Sequence, residues 1–295
     1  MLEICQMSAK LTEWNLTEQQ EFLLEQVGFG IFCHQAIVSK IDACLVSALV
    51  ERWRSETNTF HLNCGEISIS LEDVGFLFGL PVLGKALTCG ELENPKSYFI
   101  RVFGQQVVVD EWEQCYKRGG ISLPWLRHRY GQLPKDATSD DVVRHTKAYL
   151  LYLCGAILFP TKSKNIVHPR YLLLLERLED IITYAWGAAV LGHLYRGLHE
   201  ATRKTTKKFA GCATLLMMWA HERVNIGRPT PRPNSHKLIP RALSWAYSSF
   251  DPNSKQYQHR KNPYHHLLFY RGEIDDMLET DWAWRPYRVF DTRLG

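Results

Sequence analysis

The 295-residue chain lacks the short motifs that identify many enzymes from sequence. It contains no GxSxG nucleophile turn, no phosphate-binding P-loop and no HExxH metal site. Gly28 and Gly30 lack the third glycine and the following helix of a dinucleotide site, so we interpret them as the end of a helix. These absences predict a protein that is not an enzyme and that carries no cofactor.

Paired metal ligands are also missing, because the eight cysteines are scattered and form no CxxC pair. His61 and Cys64 lie at a predicted turn of the kind that can hold zinc, and Cys33 precedes His34. Neither pair has a second pair at matching spacing. A strand-end histidine and free thiols are the simpler interpretation, so we expect no metal and a reducing, intracellular setting.

Long apolar runs are few. The longest, residues 149–160, is shorter than the ~20 residues that span a bilayer. Residues 171–192 contain charged side chains and are typical of an amphipathic helix. The first residues lack the apolar core of a signal peptide. We therefore expect no membrane partner.

The composition that is present is globular, with 45% hydrophobic and 22% charged residues. Aromatic residues are plentiful (9 Trp, 13 Tyr and 13 Phe), so the core should be rich in aromatic rings. Hydrophobic periodicity predicts a mainly α fold, a single helical domain with a small antiparallel β-hairpin near the N-terminal third.

Local signals place the elements of the N-terminal part. Thr17 and Gln20 have the spacing of a helix capping box, and Asn63 to Gly65 form a turn between two alternating segments. The predicted elements are helices over about 18–26 and from Ser39 to Trp53, a hairpin whose second strand covers 66–71, a helix over 71–80, and loops over 85–110 with a short strand at 106–109.

From about residue 110 the chain reads as almost wholly helical, with apolar residues recurring at helical spacing. Three prolines between 229 and 233 interrupt this pattern and predict a loop over 227–240. The predicted helices cover about 110–117, 123–130, 138–160, 171–183, 185–203, 209–224 and 266–278.

Charge is uneven along the chain. Residues 201–241 hold nine Lys and Arg against Glu222 alone, a local charge of +8 in a chain of net charge +4. Such charges suit phosphate contacts, and the aromatic rings of Trp245, Tyr247 and Tyr257 are of a type that stacks on bases. A solvated connector with no ligand is the alternative. The candidate nucleic-acid or partner contacts are Arg203, Lys204, Lys207, Lys208, Arg228, Arg232, Lys237 and Arg241.

Carboxylates around the hairpin raise an enzymatic alternative. A metal-dependent nuclease needs carboxylates that converge on one pocket, and the available ones are Glu56, Glu66, Glu72 and Asp73. The simpler interpretation places Glu72 and Asp73 in the first turn of a helix, where they favour the helix dipole, and pairs Glu66 with Arg52 or Arg54. We expect no hydrolase, nuclease or aminotransferase activity.

The hairpin region also carries a resemblance to a known family. Matching segments in the N-terminal part are residues 51–54, 56–62, 65–66, 71–74 and 79–82. Matching segments in the helical part are residues 144–159, 183–198, 211–229 and 284–287. These segments resemble the plant mobile domain of plant transposons and their host-adopted relatives, over roughly residues 20–290. The departures are Asn63, Cys64 and the 85–110 segment.

The resemblance implies a domain over 17–290, after an N-terminal segment of residues 1–16. Its α/β part would cover about 17–110 and its helical part about 111–290. The family-motif residues, interpreted as structural, are Trp53, Arg54, His61, Glu66, Glu72, Asp73, Trp186, Gly187, Trp219 and Glu222.

The resemblance also implies a function. Host members such as the maintenance-of-meristems group act in the nucleus in transposable-element silencing, gene regulation and genome integrity. We therefore expect a non-catalytic nuclear interaction module. Its partner would be a phosphatase-like protein of the long-form type or another plant mobile domain protein. The alternatives are a nucleic-acid-binding module and a metal-dependent enzyme acting on nucleic acid.

Overall fold

The structure is a computed structural model that describes residues 1–34, 37, 41–104, 106–224, 231, 239–246, 263–288 and 290. The described chain is mostly helical, as the sequence predicts. The α-helices are α1 (Glu18–Gln26), α2 (Ala43–Arg52), α3 (Leu71–Phe78), α4 (Pro95–Phe103), α5 (Gln106–Cys115), α6 (Leu123–Tyr130), α7 (Ser139–Leu153), α8 (Trp186–Ala201), α9 (Ala213–Arg223), α10 (Leu243–Ala246) and α11 (Pro263–Asp275).

Helix starts follow from side-chain caps. The Thr17 side chain accepts a hydrogen bond from the Gln20 amide, and the Gln20 side chain accepts one from the Thr17 amide. This confirms the predicted start of α1. Ser70 and Asp73 cap α3 in the same way, and α3 ends at Gly79, whose φ of 65° is left-handed. The second helix is capped by Asp42, and its predicted start at Ser39 lies outside the described residues.

The predicted hairpin is part of a three-stranded antiparallel sheet formed by β2 (Trp53–Arg54), β3 (Thr59–Leu62) and β4 (Gly65–Ile67). In its register Phe60 lies opposite both Trp53 and Ile67. The second strand is shorter than the predicted 66–71, because Ser70 leaves the sheet to cap α3. Ile67 and Ile69 are both buried, so the predicted face of the strand points into the core.

Two further small sheets are not evident from the sequence. One is antiparallel and contains β5 (Tyr116–Lys117), β6 (Gly120–Ser122) and β7 (Ile166–Val167). The other pairs β1 (Glu3–Ile4) in parallel with β8 (Lys208–Phe209), so the start of the chain lies against the segment that follows α8. Strands of two or three residues are too short to carry a periodic signal.

Two other predictions are wrong in detail. The segment 85–110, predicted as loops with a strand at 106–109, contains α4 and the start of α5. Asn94 caps α4 and Pro95 occupies its first turn, which are helix-start signals as well as loop signals. Residues 169–174 and 178–183 form 3₁₀ helices instead of one α-helix. The predicted helix over about 138–160 is confirmed, because α7 continues into a π-helix over Cys154–Leu158.

Aromatic side chains fill the core, as their number predicts. Phe60 packs edge-on against Trp53, with ring centroids 4.8 Å apart, and stacks on Trp219 at 5.0 Å. Trp186 is fully buried and donates from Nε1 to the Ile181 carbonyl at 2.8 Å. A Cβ added at Gly187 would lie 2.9 Å from Val82, so the close approach of α8 to that segment requires glycine. Four family-motif residues therefore form part of the core, namely Trp53, Trp186, Gly187 and Trp219.

Within the described residues, no helix combines the length and apolar character needed to cross a bilayer.

Candidate functional site

Asp73, from the LEDV segment, is fully buried at the start of α3. Its Oδ2 accepts hydrogen bonds from the Ser70 amide and hydroxyl, both at 2.8 Å. Its Oδ1 accepts from Arg223 Nε at 2.8 Å and from the Tyr287 hydroxyl at 2.9 Å. Both oxygens are therefore occupied by protein donors. Burial and the neighbouring Asp73 carboxylate raise the pKa of Tyr287, which keeps its hydroxyl protonated as a donor.

Arg223 joins this carboxylate to the end of the described chain. Its Nη1 donates to the Trp284 carbonyl at 2.8 Å, and its guanidinium lies over the Tyr287 ring at 5.3 Å. Tyr287 also stacks on Phe76 of α3, with centroids 4.5 Å apart. Three of the resembling segments, 71–74, 211–229 and 284–287, thus meet at one buried ion pair.

Glu222, next to Arg223, forms a second buried ion pair. Its Oε1 accepts from Arg241 Nε at 2.9 Å, and its Oε2 accepts from Trp245 Nε1 at 2.7 Å. The Arg241 amide donates to the Phe76 carbonyl at 2.7 Å, which ties the segment before α10 to α3. Both carboxylates therefore hold the C-terminal segments against α3 and α9.

This geometry corrects two sequence interpretations. Arg241 is buried against Glu222, so it is not an exposed phosphate contact. Trp245 is also buried, so its ring does not face a base. The predicted contacts Arg228, Arg232 and Lys237, and the rings of Tyr247 and Tyr257, lie outside the described residues.

The remaining carboxylates are spread around the surface. Glu66 lies 3.2 Å from His61 Nε2, so its partner is His61 and not the predicted Arg52 or Arg54. Glu72 is 56% exposed and lies 3.6 Å from Arg223. Across the described ranges, no group of three or more His, Cys, Asp or Glu side chains is placed to hold a metal ion, and this includes His61 and Cys64.

The cations Arg203, Lys204, Lys207 and Lys208, here called the basic junction, connect α8 to β8. The first three are exposed and Lys208 is half-buried. Ser55 contacts Thr202 across 3.5 Å, which brings the exposed Arg54 close to the start of the junction. The junction is therefore a solvent-facing basic surface, as the charge pattern predicts.

A cavity of about 500 Å³ adjoins the junction, and we call it the basic cavity. Lys208 Nζ donates to the carbonyl of Lys162 at 3.4 Å, which joins the two features. Polar and aromatic side chains line it, among them Lys162, His168, Arg170, Tyr171, His193, Arg196 and Glu200. Sequence reasoning missed these cations, because three separate segments contribute them. A signal was present, since residues 161–170 hold Lys162, Lys164 and Arg170 and no acidic residue.

Both histidines of the basic cavity are held neutral. Burial lowers the pKa of His193, whose Nε2 lies 2.9 Å from the Ala210 carbonyl and 3.1 Å from the Pro160 carbonyl. Burial, with the nearby Arg170, also lowers the pKa of His168. His168 Nδ1 accepts from the Arg170 amide at 3.2 Å and from Arg170 Nε at 3.0 Å. His168 therefore fixes the orientation of the Arg170 guanidinium.

A second surface, the apolar groove, lies between α1, α7 and the 3₁₀ segment 178–183. It consists of two adjoining depressions of about 590 and 430 Å³ that share Leu23 and Val143. Phe22 is 59% exposed at one end, and Ile182 is 43% exposed at the other. Sequence reasoning missed this groove as well. The available signal was Phe22, an apolar side chain next to Leu23 on α1 that remains exposed in the fold.

Comparison with known proteins places the chain in a family. The plant mobile domain model matches residues 28–293. The chain is 38% identical to the Arabidopsis thaliana protein MAIN-LIKE 2 over 95% of this chain and 40% of that protein. It is 36% identical to the Arabidopsis protein MAINTENANCE OF MERISTEMS over 94% of this chain and 54% of that protein.

A more distant Arabidopsis relative is a serine/threonine-protein phosphatase 7 long form homolog, 32% identical over 88% of this chain and 19% of that protein. The chain thus spans about half or less of the length of these relatives. No solved structure matches it significantly. The chain belongs to the plant mobile domain family.

Proposed function

We propose that this plant mobile domain protein is a non-catalytic nuclear interaction module that binds a protein partner. Its roles would be transposable-element silencing, gene regulation, genome integrity and meristem maintenance. Family membership supports these roles, and one relative is named for maintenance of meristems. The partner would be a long-form phosphatase-like protein or another plant mobile domain protein.

The non-catalytic part of the proposal is supported by how the motif carboxylates are used. Asp73 has both oxygens bound by protein donors and no exposed surface. Glu222 is bound by Arg241 and Trp245 at 3% exposure. A catalytic carboxylate must reach its substrate or metal, whereas these two hold segments of the chain together.

The apolar groove is the observation that carries the proposal. Exposed apolar patches on a protein surface commonly mark docking sites. The groove is elongated, because its two depressions adjoin at Leu23 and Val143. An elongated apolar groove suits the apolar face of a helix, which presents side chains at i, i+4 and i+7. We assign it to an amphipathic helix of the partner protein.

Charge adds an orientation to this assignment. Of the three glutamates of α1, Glu18 lines the groove, and the helix carries no basic residue. The opposite wall contains Arg177, whose Nη2 lies 2.7 Å from Glu179. Glu18 is therefore the acidic group that α1 presents at the groove, and the partner helix should carry a basic residue at the end that meets it.

The test is affinity capture from plant nuclei with wild type and two matched variants. Phe22→Glu places a charge in the groove, and Leu268→Glu places one at a residue of the same 59% exposure on α11. We expect a protein partner that the wild type and Leu268→Glu retain after nuclease treatment and that Phe22→Glu loses. Equal retention by both variants, or release by nuclease alone, would contradict groove-mediated docking.

Nucleic-acid binding is the second candidate function, and the basic junction favours it. Exposed Arg and Lys side chains next to a cation-lined cavity provide the point charges that phosphate contacts need. In the described structure the basic junction lies between α8 and β8 and contains no helix that could enter the major groove of DNA. Its contacts would therefore be to the phosphate backbone.

A further inference from the structure

The walls of the basic cavity carry unbalanced charge. Its cations are Lys162, Arg170 and Arg196, and Glu200 is its lining carboxylate among the described residues. Glu200 is shared by Lys162 at 2.9 Å and by Arg196 at 3.1 Å. With both histidines neutral, the walls have a net positive charge that an anionic ligand would offset.

Arg170 is the cation that the protein leaves available. No carboxylate in the described part of the chain pairs with it, and its hydrogen bonds go to the imidazole of His168. The bond from Nε to His168 Nδ1 fixes the plane of the guanidinium and leaves Nη1 for a ligand oxygen. An arginine oriented in this way is a pre-organised phosphate donor, because little side-chain freedom is lost on binding.

The cavity is larger than a phosphate group requires. Its volume of about 500 Å³ is within the range of pockets that hold small organic ligands. Tyr171 and Phe159 both line it, and their rings stack with centroids 4.9 Å apart and planes 10° apart. A ring fixed in this way offers a flat surface on which a base can stack.

The basic cavity is also connected to the basic junction, along which the phosphates of a nucleic acid could bind. Lys162 belongs to the cavity wall and is joined through its carbonyl to Lys208 of the basic junction. A polyanion bound along the junction therefore passes the mouth of the cavity. This continuity favours a nucleic acid over a ligand with a single phosphate.

We infer that the basic cavity receives one unpaired nucleotide of a single-stranded nucleic acid, whose backbone follows the basic junction. The inference rests on the second candidate function and adds strand selectivity to it. In a duplex the bases are paired inside and only the backbone faces outward, so a paired nucleotide does not enter a concave site. The protein should therefore bind single strands more tightly than duplexes.

The test is fluorescence anisotropy of the full chain with labelled oligothymidine and with a blunt duplex of the same length at the same salt concentration. We expect the wild type to bind oligothymidine about tenfold more tightly than duplex. Arg170→Gln and Arg196→Gln should each weaken oligothymidine binding by about tenfold and leave duplex binding unchanged. Arg196 is 77% exposed, so the second variant keeps the test valid if the first misfolds.

Arg118→Gln is the matched control, because Arg118 is exposed and lines neither the basic cavity nor the apolar groove. It should change neither affinity. Equal losses of single-strand and duplex binding in the cavity variants would overturn the inference, and so would no loss. Competition by a phosphoserine peptide without any oligothymidine binding would overturn it as well.

The inference and the function on which it rests fail in different ways. If reversing the charge of the basic junction leaves all nucleic-acid binding intact, the second candidate function is wrong. If that change weakens binding while the cavity variants leave the ratio of single-strand to duplex affinity unaltered, only the assignment of the cavity is wrong.

Discussion

Arg223 Nε donates a hydrogen bond to Asp73 Oδ1 across 2.8 Å, although 150 residues of chain separate them. The bond closes α3 against the end of α9, and Tyr287 joins the same oxygen from the C-terminal side. The segments that match the family in sequence, 71–74, 211–229 and 284–287, therefore contain the residues that hold distant parts of the fold together. This explains why the resemblance extends over almost the whole chain.

Asp73→Ala should lower the free energy of unfolding by about 3–5 kcal/mol, because it removes the buried, directly hydrogen-bonded counter-charge of the Arg223 guanidinium. Urea unfolding followed by circular dichroism measures the loss. Glu72→Ala is the control, since Glu72 is 56% exposed and lies 3.6 Å from the same guanidinium. It should cost less than about 1 kcal/mol. Equal losses in the two variants would contradict a structural role specific to Asp73.

Ile69→Asp should destabilise the protein by several kcal/mol, roughly 3 or more, because it places an unpaired charge at a residue of 1% exposure. Leu71→Asp is the comparison, because Leu71 is 41% exposed and begins α3, where an acidic side chain is favourable. Thermal melting of both variants measures the difference. An unchanged melting temperature for Ile69→Asp would show that the strand face is misplaced.

Acidification should lower stability through the buried histidines. Burial lowers the pKa of His193 in the folded protein. Below about pH 6.5 this imidazole is therefore protonated in the unfolded chain but still neutral in the folded protein. The unfolded state then holds more protons, and the free energy of unfolding falls as the pH falls. His145 and His168 have pKa values lowered by burial and add to the same slope.

His193→Gln keeps an N–H donor for the two carbonyls but does not titrate, so it should flatten the dependence of unfolding free energy on pH between about 6.5 and 5. Urea unfolding at several pH values gives the slope. A slope identical to that of the wild type would mean that His193 does not carry the depressed pKa.

Reversing the charge of all four residues of the basic junction to Glu should weaken binding to every nucleic-acid sequence alike. The contacts are to phosphates, so affinity should fall steeply with salt, and the log–log slope should be shallower in the variant. Filter binding across a salt series measures both. The matched control makes the same changes at exposed residues elsewhere, namely Lys96, Lys117, Arg118 and Lys135.

The control variant should bind nearly as well as the wild type. If the control variant lost as much affinity as the junction variant, the net charge of the protein alone would determine binding. If the junction variant instead binds nucleic acid normally but loses a protein partner, the junction is a protein-docking surface.

Much of the fold is predictable because its signals are local. The caps at Thr17 and Ser70 are set by residues three positions apart, and the alternation at Ile67 and Ile69 is read within one short segment. The sheet of β5, β6 and β7 is not predictable in this way, because β7 lies far along the chain and is two residues long.

The site is less predictable than the fold. The exposed part of the basic junction is visible as a run of charge, but burial of Arg241 depends on its pairing with Glu222, which no spacing rule gives. The cations of the basic cavity and the walls of the apolar groove come from separate elements. Only the packing of those elements brings them together.

The central claim, that the apolar groove binds a partner, is tested most directly by amide hydrogen exchange of the protein with and without the captured partner. The account predicts that the partner protects amides of α1, the start of α7 and residues 176–182, and that Phe22→Glu abolishes this protection. Protection confined to the basic junction, with the groove amides exchanging as in the free protein, would contradict it.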